Sequence, residues 1–323
     1  MGMRSGIAMM GLAACMAAAA AASAWAAPAQ GWQARPWREA AQRRAQASAQ
    51  RNARGGDAKR GDRDDGLPAG VRRIADIAYG RDPAQRLDAY VPAHPTGDAV
   101  LLVHGGGWRR GDKDSRKVVD NKLADWSARG MVVVSVDYRL LPDADPVTQA
   151  GDVAAALAYA QRHAREWGAD PLRFVLAGHS AGAHLVALLD ADPALARAHG
   201  AGAWRGTIAL DSAALDVTKI MQSRHPSLYD DAFGTDPAYW RVASPTLQLT
   251  RDAAPILLVC STERANSCDQ ARGFAGAAHR LRVRAEVLPE ALSHGEINDK
   301  LGLPGAYTDA VDRFIASLPA VAR

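Results

Sequence analysis

A serine framed by glycines, Gly178-His179-Ser180-Ala181-Gly182, follows the apolar run Phe174-Val175-Leu176-Ala177 and precedes the helix-forming Ala183-His184-Leu185-Val186-Ala187-Leu188-Leu189. Strand, tight turn and helix with a hydroxyl at the apex is the setting in which Gly-x-Ser-x-Gly presents a nucleophile. Such a turn cramps the backbone, and glycines two before and two after remove Cβ atoms that would collide with strand and helix. By itself the pentapeptide is equally a plain turn, because Gly and Ser are common turn residues. Its company decides. His104-Gly105-Gly106-Gly107-Trp108 leaves the apolar run 99–103 with three successive glycines. Backbone N–H groups freed in this way are suited to meet the negative charge that develops on a tetrahedral intermediate. The competing reading, a flexible hairpin tip, fits poorly with a buried strand just before it. Of the nine histidines, His294 sits between Ser293 and Gly295, after the strand-like 283–288 and before the last helix. A base must reach the serine hydroxyl, and this loop is expected at the sheet edge that also carries Ser180. His179, in the variable slot of the pentapeptide, is expected to line the pocket. His184, one turn down the helix, is expected to be a hydrogen-bonded core residue.

The elements that must position these groups are legible as runs and stripes. Residues 71–79 and 86–91 are short strand-like stretches around the turn cluster Gly80-Arg81-Asp82-Pro83, which predicts an antiparallel hairpin at a sheet edge. After it the pattern alternates between strand and helix. Runs 99–103, 132–136, 174–176 and 256–260 are apolar apart from Ser135, as strands buried on both faces are. Val153, Ala156, Leu157, Ala160, Ala164 and Trp167 form a stripe of helical period, and so do Tyr307, Ala310, Val311, Phe314, Ile315 and Leu318. The expected fold class is α/β: a mostly parallel sheet with helices on both faces and an N-terminal antiparallel hairpin.

On these motifs the chain resembles the α/β-hydrolase superfamily, in its carboxylesterase branch with an HGGG motif, and most closely the kynurenine-formamidase-like and BD-FAE-like esterases. The matching phrases are Tyr79-Gly80, Leu87-Asp88-Ala89-Tyr90-Val91-Pro92, His104 to Trp108, Asp137-Tyr138-Arg139-Leu140, Gly178 to Leu185, Ala243-Ser244-Pro245 and Ser293-His294-Gly295. The resemblance implies the α/β-hydrolase fold and a triad in the chain order serine, acid, histidine. It also implies oxyanion donors in the N–H groups of Gly106, Gly107 and Ala181, and pocket positions at His104 and Trp108. A short cap or acyl-pocket excursion is expected over 212–252, where the alternation lapses; a plain loop-and-helix connection fits the same residues. The acid is where the chain departs from the pattern. The family places a carboxylate in the loop after the penultimate strand, often as Gly-x-x-Asp, and here that loop reads Ser261-Thr262-Glu263-Arg264-Ala265-Asn266-Ser267-Cys268-Asp269. Aligning Ser261 with the expected glycine puts Arg264 at the acid position. Glu263 lies one residue early, an offset its extra methylene can absorb, so it is the favoured acid, with Asp269 the alternative. The implied activity is hydrolysis of small carboxylic esters by a serine enzyme. An arylformamidase-like amide hydrolase, a serine peptidase and a non-catalytic binding protein on the same scaffold are the alternatives.

Composition bounds the rest. With 323 residues, 48% of them hydrophobic, the chain can bury a sizeable core. Met1-Gly2-Met3-Arg4 and the apolar, alanine-rich stretch ending at Ala24-Trp25-Ala26-Ala27 read as a secretory signal over 1–27. A retained anchor, or a lipoprotein attached at Cys15 of Leu12-Ala13-Ala14-Cys15, are the competing readings. Residues 28–66 are rich in Arg, Gln, Ala, Asp and Gly and read as a disordered basic linker before a hydrolase domain over 67–323. Nine basic and five acidic side chains in that linker account for an excess equal to the whole chain's +4. The basic character therefore belongs to the tail and does not indicate a nucleic-acid partner. Export to the periplasm or medium without stable membrane insertion is expected, with a small ester as the partner. Cys260 and Cys268 are expected to form a disulfide in that oxidising setting. No ligand spacing suggests zinc and no Gly-rich loop ends in Lys-Ser/Thr, so neither cofactor nor metal is expected.

Overall fold

The structure is a computed structural model and describes residues 66–321. The expected signal segment, Cys15 and residues 28–65 of the expected linker lie outside the described residues.

Strands β1 (Val71–Ala78) and β2 (Arg86–Pro92) pair antiparallel from Val71 opposite Pro92 to Ala78 opposite Arg86, as the hairpin pattern predicts. Six further strands follow: β3 (Gly97–Val103), β4 (Val132–Val136), β5 (Ala169–His179), β6 (Gly206–Leu210), β7 (Ile256–Ser261) and β8 (Ala285–Glu290). They form one eight-stranded sheet in the order β1-β2-β4-β3-β5-β6-β7-β8. β2 meets β4 antiparallel, and every pairing from β4 to β8 is parallel. The chain is an α/β protein of α/β-hydrolase architecture.

Alternate strand residues feed opposite faces, as the two-residue period of a pleated strand requires. Leu101, Val103 and Leu176 pack with Val153, Ala156, Leu157 and Ala160 of α2 (Pro146–His163) and with Leu185 and Leu189 of α3 (Ala181–Ala191). Val100, Leu102 and Val175 face α1 (Arg116–Ala128) and α11 (Ala306–Ala316), meeting Leu123, Trp126, Val311 and Phe314. Both predicted stripes are buried save for the half-buried Ala310, but two ends differ from expectation. Helix α2 stops at His163 and tightens into a 3₁₀ turn over Ala164–Trp167, closed by Gly168 at φ 74°, so Ala164 and Trp167 reach the core from that turn. Leu318 lies beyond α11 yet is still buried. At its start α2 is set by Asp145, whose carboxylate accepts from the Thr148 N–H at 2.8 Å, with Pro146 at the first helical position.

The order of strands creates the crevice that matters. From β3 the chain crosses to β4 on one side, then returns past β3 to β5 on the other. At such a reversal, connections leave the carboxyl ends of neighbouring strands in opposite directions and open a cleft between them. The glycine-rich loop exits β3 there and Ser180 exits β5. Helix α4 (Pro193–Ala198) precedes β6, and between β6 and β7 run four short helices: α5 (Val217–Met221), α6 (Ser227–Phe233), α7 (Pro237–Val242) and α8 (Pro245–Gln248). Helix α9 (Ser267–Arg280) follows β7 and α10 (His294–Lys300) follows β8. Among the described residues no helix is long and apolar enough to cross a membrane.

Candidate active site

Ser180 sits between β5 and α3 at φ 56°, ψ −115°, a backbone conformation costing on the order of 1–3 kcal/mol for a non-glycine residue. The surroundings hold it there. Its N–H donates to the Leu210 carbonyl of β6 at 2.9 Å, and its own carbonyl accepts from the His184 N–H at 3.1 Å to begin α3. A Cβ on Gly178 would lie 2.4 Å from the Gly182 oxygen, and one on Gly182 only 2.3 Å from the Val103 oxygen. These are backbone atoms that cannot swing aside, so the two glycines let α3 lie directly on the end of β3.

His294 opens α10, whose start is fixed by a capping box: Ser293 accepts from the Glu296 N–H while Glu296 accepts from the Ser293 N–H. From this anchored helix start the imidazole spans two partners. Nε2 is 2.9 Å from Ser180 Oγ, and Nδ1 is 2.5 Å from a carboxylate oxygen of Asp211.

The carboxylate meeting His294 is therefore Asp211, and neither sequence candidate takes that place. Glu263 is exposed; only its backbone N–H engages the loop, at 3.2 Å from Ser261 Oγ. Asp269 is exposed on α9 and pairs with Arg272 at 3.2 Å. Asp211 follows β6, not β7, at φ 54° and with its side chain fully buried. Its N–H is pinned to the Val259 carbonyl of β7 at 2.8 Å. The exits of adjacent parallel strands stand about 4.8 Å apart, so an acid leaving either one can reach the same imidazole. The signal available in the sequence was an aspartate directly after the strand-like Thr207-Ile208-Ala209-Leu210.

The loop expected to carry the acid instead wraps it. Asp211 Oδ1 accepts from the Ser261 N–H at 2.8 Å and from the Ser267 hydroxyl, and Arg264 Nη1 lies 3.2 Å from Oδ2 and 2.9 Å from the Asp211 carbonyl. Burial alone would raise this carboxyl. The hydrogen bonds from His294, Ser267 and the Ser261 amide, with the nearby Arg264 cation, outweigh it and hold Asp211 well below the usual carboxylate range.

Cys260 and Cys268 form the expected disulfide, closing this loop across eight positions of sequence. A loop of that length gains about 2–3 kcal/mol from the entropy removed from the unfolded chain. The double variant Cys260→Ala/Cys268→Ala is therefore expected to melt roughly 5–10 °C lower by scanning calorimetry. Its kcat should fall as well, because Ser261, Arg264 and Ser267 all lie within the loop. An unchanged melting point and kcat would remove the bridge from this account.

The remaining predicted residues separate into those at the cleft and those beneath it. The glycine pressed against Ser180 is Gly105, which the sequence did not single out: a Cβ there would lie 2.9 Å from Ser180 Cβ and 2.8 Å from the His179 oxygen. Gly106 adopts φ 123°, where a Cβ would meet the Arg110 oxygen at 1.9 Å, and Gly107 adopts φ 61° facing open space. Among the described residues none accepts a hydrogen bond from the N–H of Gly106, Gly107 or Ala181. His179 belongs to the site: its ring centroid is 4.5 Å from that of His294, and Nε2 is 2.9 Å from the His294 carbonyl oxygen. Burial, then the neighbouring His294, push its pKa down to about 3, so it stands neutral beside His294.

His104 and Trp108 are corrected from pocket wall to foundation, being 1% and 3% exposed. His104 stacks on Tyr138 at 4.4 Å, and the Tyr138 hydroxyl donates to the His104 carbonyl at 2.8 Å. The Trp108 indole donates to His184 Nδ1 at 3.2 Å, and its ring packs on Tyr229 and Phe233 of α6. His184 also meets the Ala243 carbonyl at 2.8 Å, and burial pushes it down to about 4. It is a core residue, as its place one turn down the helix suggests. Through Trp108 and His184, the helices after β6 are tied to the glycine loop.

Residues 87–198 match the BD-FAE family model. Over 253 residues the chain is 28% identical to esterase LipC of Mycobacterium tuberculosis, covering 71% of this chain and 58% of the relative. Over 272 residues it is 26% identical to the isoprenylcysteine alpha-carbonyl methylesterase ICME of Arabidopsis thaliana, covering 77% and 62%. Shorter matches at up to 41% identity span only about a fifth to a quarter of the relatives concerned. Among solved structures it is similar to esterase B of Lactobacillus rhamnosis, with a TM-score of 0.63 at 20% identity over 87% of this chain and 93% of that one. Esterase 2 of Thermogutta terrifontis superposes with a TM-score of 0.59 at 22% identity, over 77% and 92%.

Proposed function

We propose that this chain, an α/β-hydrolase of the BD-FAE-like type, is a serine hydrolase that cleaves carboxylic esters of small substrates through an acyl-enzyme. The observation carrying this reading is the continuous relay from Ser180 Oγ through His294 to Asp211, with contacts of 2.9 and 2.5 Å. Ser180 attacks the acyl carbon while His294 Nε2 takes its proton. Asp211 keeps the other proton on Nδ1, which fixes the tautomer that leaves Nε2 free to accept, and it balances the charge of the imidazolium. The N–H groups of Gly106, Gly107 and Ala181 receive the oxyanion. Ala181 also begins α3, so the helix's positive end adds to that field. His294 then returns its proton to the departing alcohol, and water activated by the same imidazole releases the acid.

The His294 side chain is 37% exposed, which supports an accessible site for small or surface-presented esters. We read residues 212–252 as the cap and residues 67–323 as the catalytic domain. The disulfide supports export to the periplasm or medium. Esterase function in the relatives favours esters over amides or peptides. Treatment with a fluorophosphonate, followed by intact-mass measurement, is expected to add one label that Ser180→Ala abolishes. A label retained by Ser180→Ala, or no label together with no hydrolysis of a short-chain aryl ester, rejects an activated Ser180.

A further inference from the structure

Arg264 stands where a third party to the Asp211–His294 pair is not needed for hydrolysis. Its Nη1 lies 3.2 Å from His294 Nδ1 and 3.2 Å from the same Asp211 oxygen that His294 engages. A further contact at 2.9 Å to the Asp211 carbonyl keeps the guanidinium in this position, and the disulfide closes the loop that carries it. One carboxylate oxygen is thus shared between the imidazole and a permanent cation. Carboxylate and guanidinium act on the imidazole in opposite senses. Asp211 favours the protonated ring; a cation fixed at 3.2 Å disfavours it.

We propose that Arg264 is a positioning residue that sets the acid end of the working pH range: by sharing Asp211 and opposing imidazolium, it keeps His294 neutral and able to accept the Ser180 proton at lower pH than Asp211 alone would allow. The inference rests on the proposed roles of Ser180, His294 and Asp211. The other groups around His294 do not substitute for it. His179, at the end of β5, is held neutral by burial and by His294. Lys122 of α1 is fully buried and donates to the Asn298 carbonyl of α10 at 2.6 Å. Glu296 is engaged with Ser293 and pairs with Lys300 at 2.9 Å. Glu290 at the end of β8, Tyr307 of α11 and Tyr229 of α6 complete the surrounding titratable groups, and burial raises all three, which keeps the tyrosines uncharged. Arg264 and Asp211 are the charges in contact with the ring.

The test compares the parent protein with Arg264→Gln and Arg264→Lys, measuring kcat/KM on a short-chain aryl ester and the rate of fluorophosphonate labelling from mildly acidic to mildly alkaline pH. Removing the cation is expected to move the acid limb of both profiles about one unit to higher pH. The alkaline plateau should fall by less than the acid limb, since Arg264 also braces Asp211, with KM little changed. Arg264→Lys, which keeps a cation, should retain the parent's limb. A uniform loss at every pH with the limb in place would mean that Arg264 only braces Asp211, and overturns the proposal. If Arg264→Gln does not fold, the uncharged Arg264→Met carries the same test: an acid limb moved to higher pH supports the proposal, and a limb left in place overturns it. Activity surviving in Ser180→Ala would instead reject the underlying mechanism, so the two failures are distinguishable.

Discussion

Asp211→Asn is expected to lower kcat by about 10³–10⁴ with little change in KM. An asparagine there can turn its amide NH₂ toward Nδ1, which favours the tautomer with the proton on Nε2. That nitrogen then cannot take the Ser180 proton, although every atom remains close to its parent position. Steady-state kinetics on a short-chain aryl ester measure the effect. Glu263→Ala and Asp269→Ala serve as paired controls, expected within about twofold of the parent because both side chains point to solvent. A large loss in either control and none in Asp211→Asn would return the acid to the β7 loop. The same substitution has a stability signature. The folded-state pKa of Asp211 is depressed, so its charge stabilises the fold above the unfolded carboxylate range, and that contribution is lost as pH falls through and below it. The melting point of Asp211→Asn should consequently depend less on pH in the acid range than that of the parent.

Ser180→Ala is expected to remove about 10⁵–10⁶ of kcat, leaving whatever oxyanion stabilisation and substrate positioning supply without a nucleophile. Because the triad acts as a unit, the double variant Ser180→Ala/Asp211→Asn should be no slower than Ser180→Ala alone. Independent additive losses would mean that Asp211 contributes by some route other than through His294. Thermal stability offers a control on this variant. The backbone at position 180 stays at positive φ whether the residue is Ser or Ala, so the strain remains and the melting point should move little. A drop of many degrees would attribute lost activity to unfolding and not to chemistry.

Much of this molecule can be read from local rules. Apolar runs at 99–103, 132–136 and 256–260 become buried parallel strands, because a strand covered on both faces has no polar side to display. Gly178 is required by contacts within one strand-turn-helix unit and Gly182 by the end of β3, so the proposed nucleophile is visible in a five-residue window. His294 is recognisable from its place between a strand and the last helix. The acid is different. Which residue faces His294 Nδ1 depends on two strand exits lying side by side, and neighbours in a sheet are set by pairing across 50 positions of chain, as between Asp211 and Ser261. Chain order and family likeness pointed to the β7 loop, while in three dimensions that loop supplies the donors and β6 supplies the carboxylate.

The same division applies to the glycine loop. Its composition announces exposed N–H groups, but only the packed structure selects Gly105 as the glycine against Ser180 and turns His104 and Trp108 into buried supports. The sequence by itself determined the sheet and pointed to Ser180, His294 and the glycine loop as the proposed nucleophile, base and donors, since each follows from short-range periodicity, sterics or turn chemistry. Tertiary structure alone decided which carboxylate meets His294 and brought Arg264 against it, because a contact between two strand exits is a property of the assembled sheet and leaves no local trace in either segment.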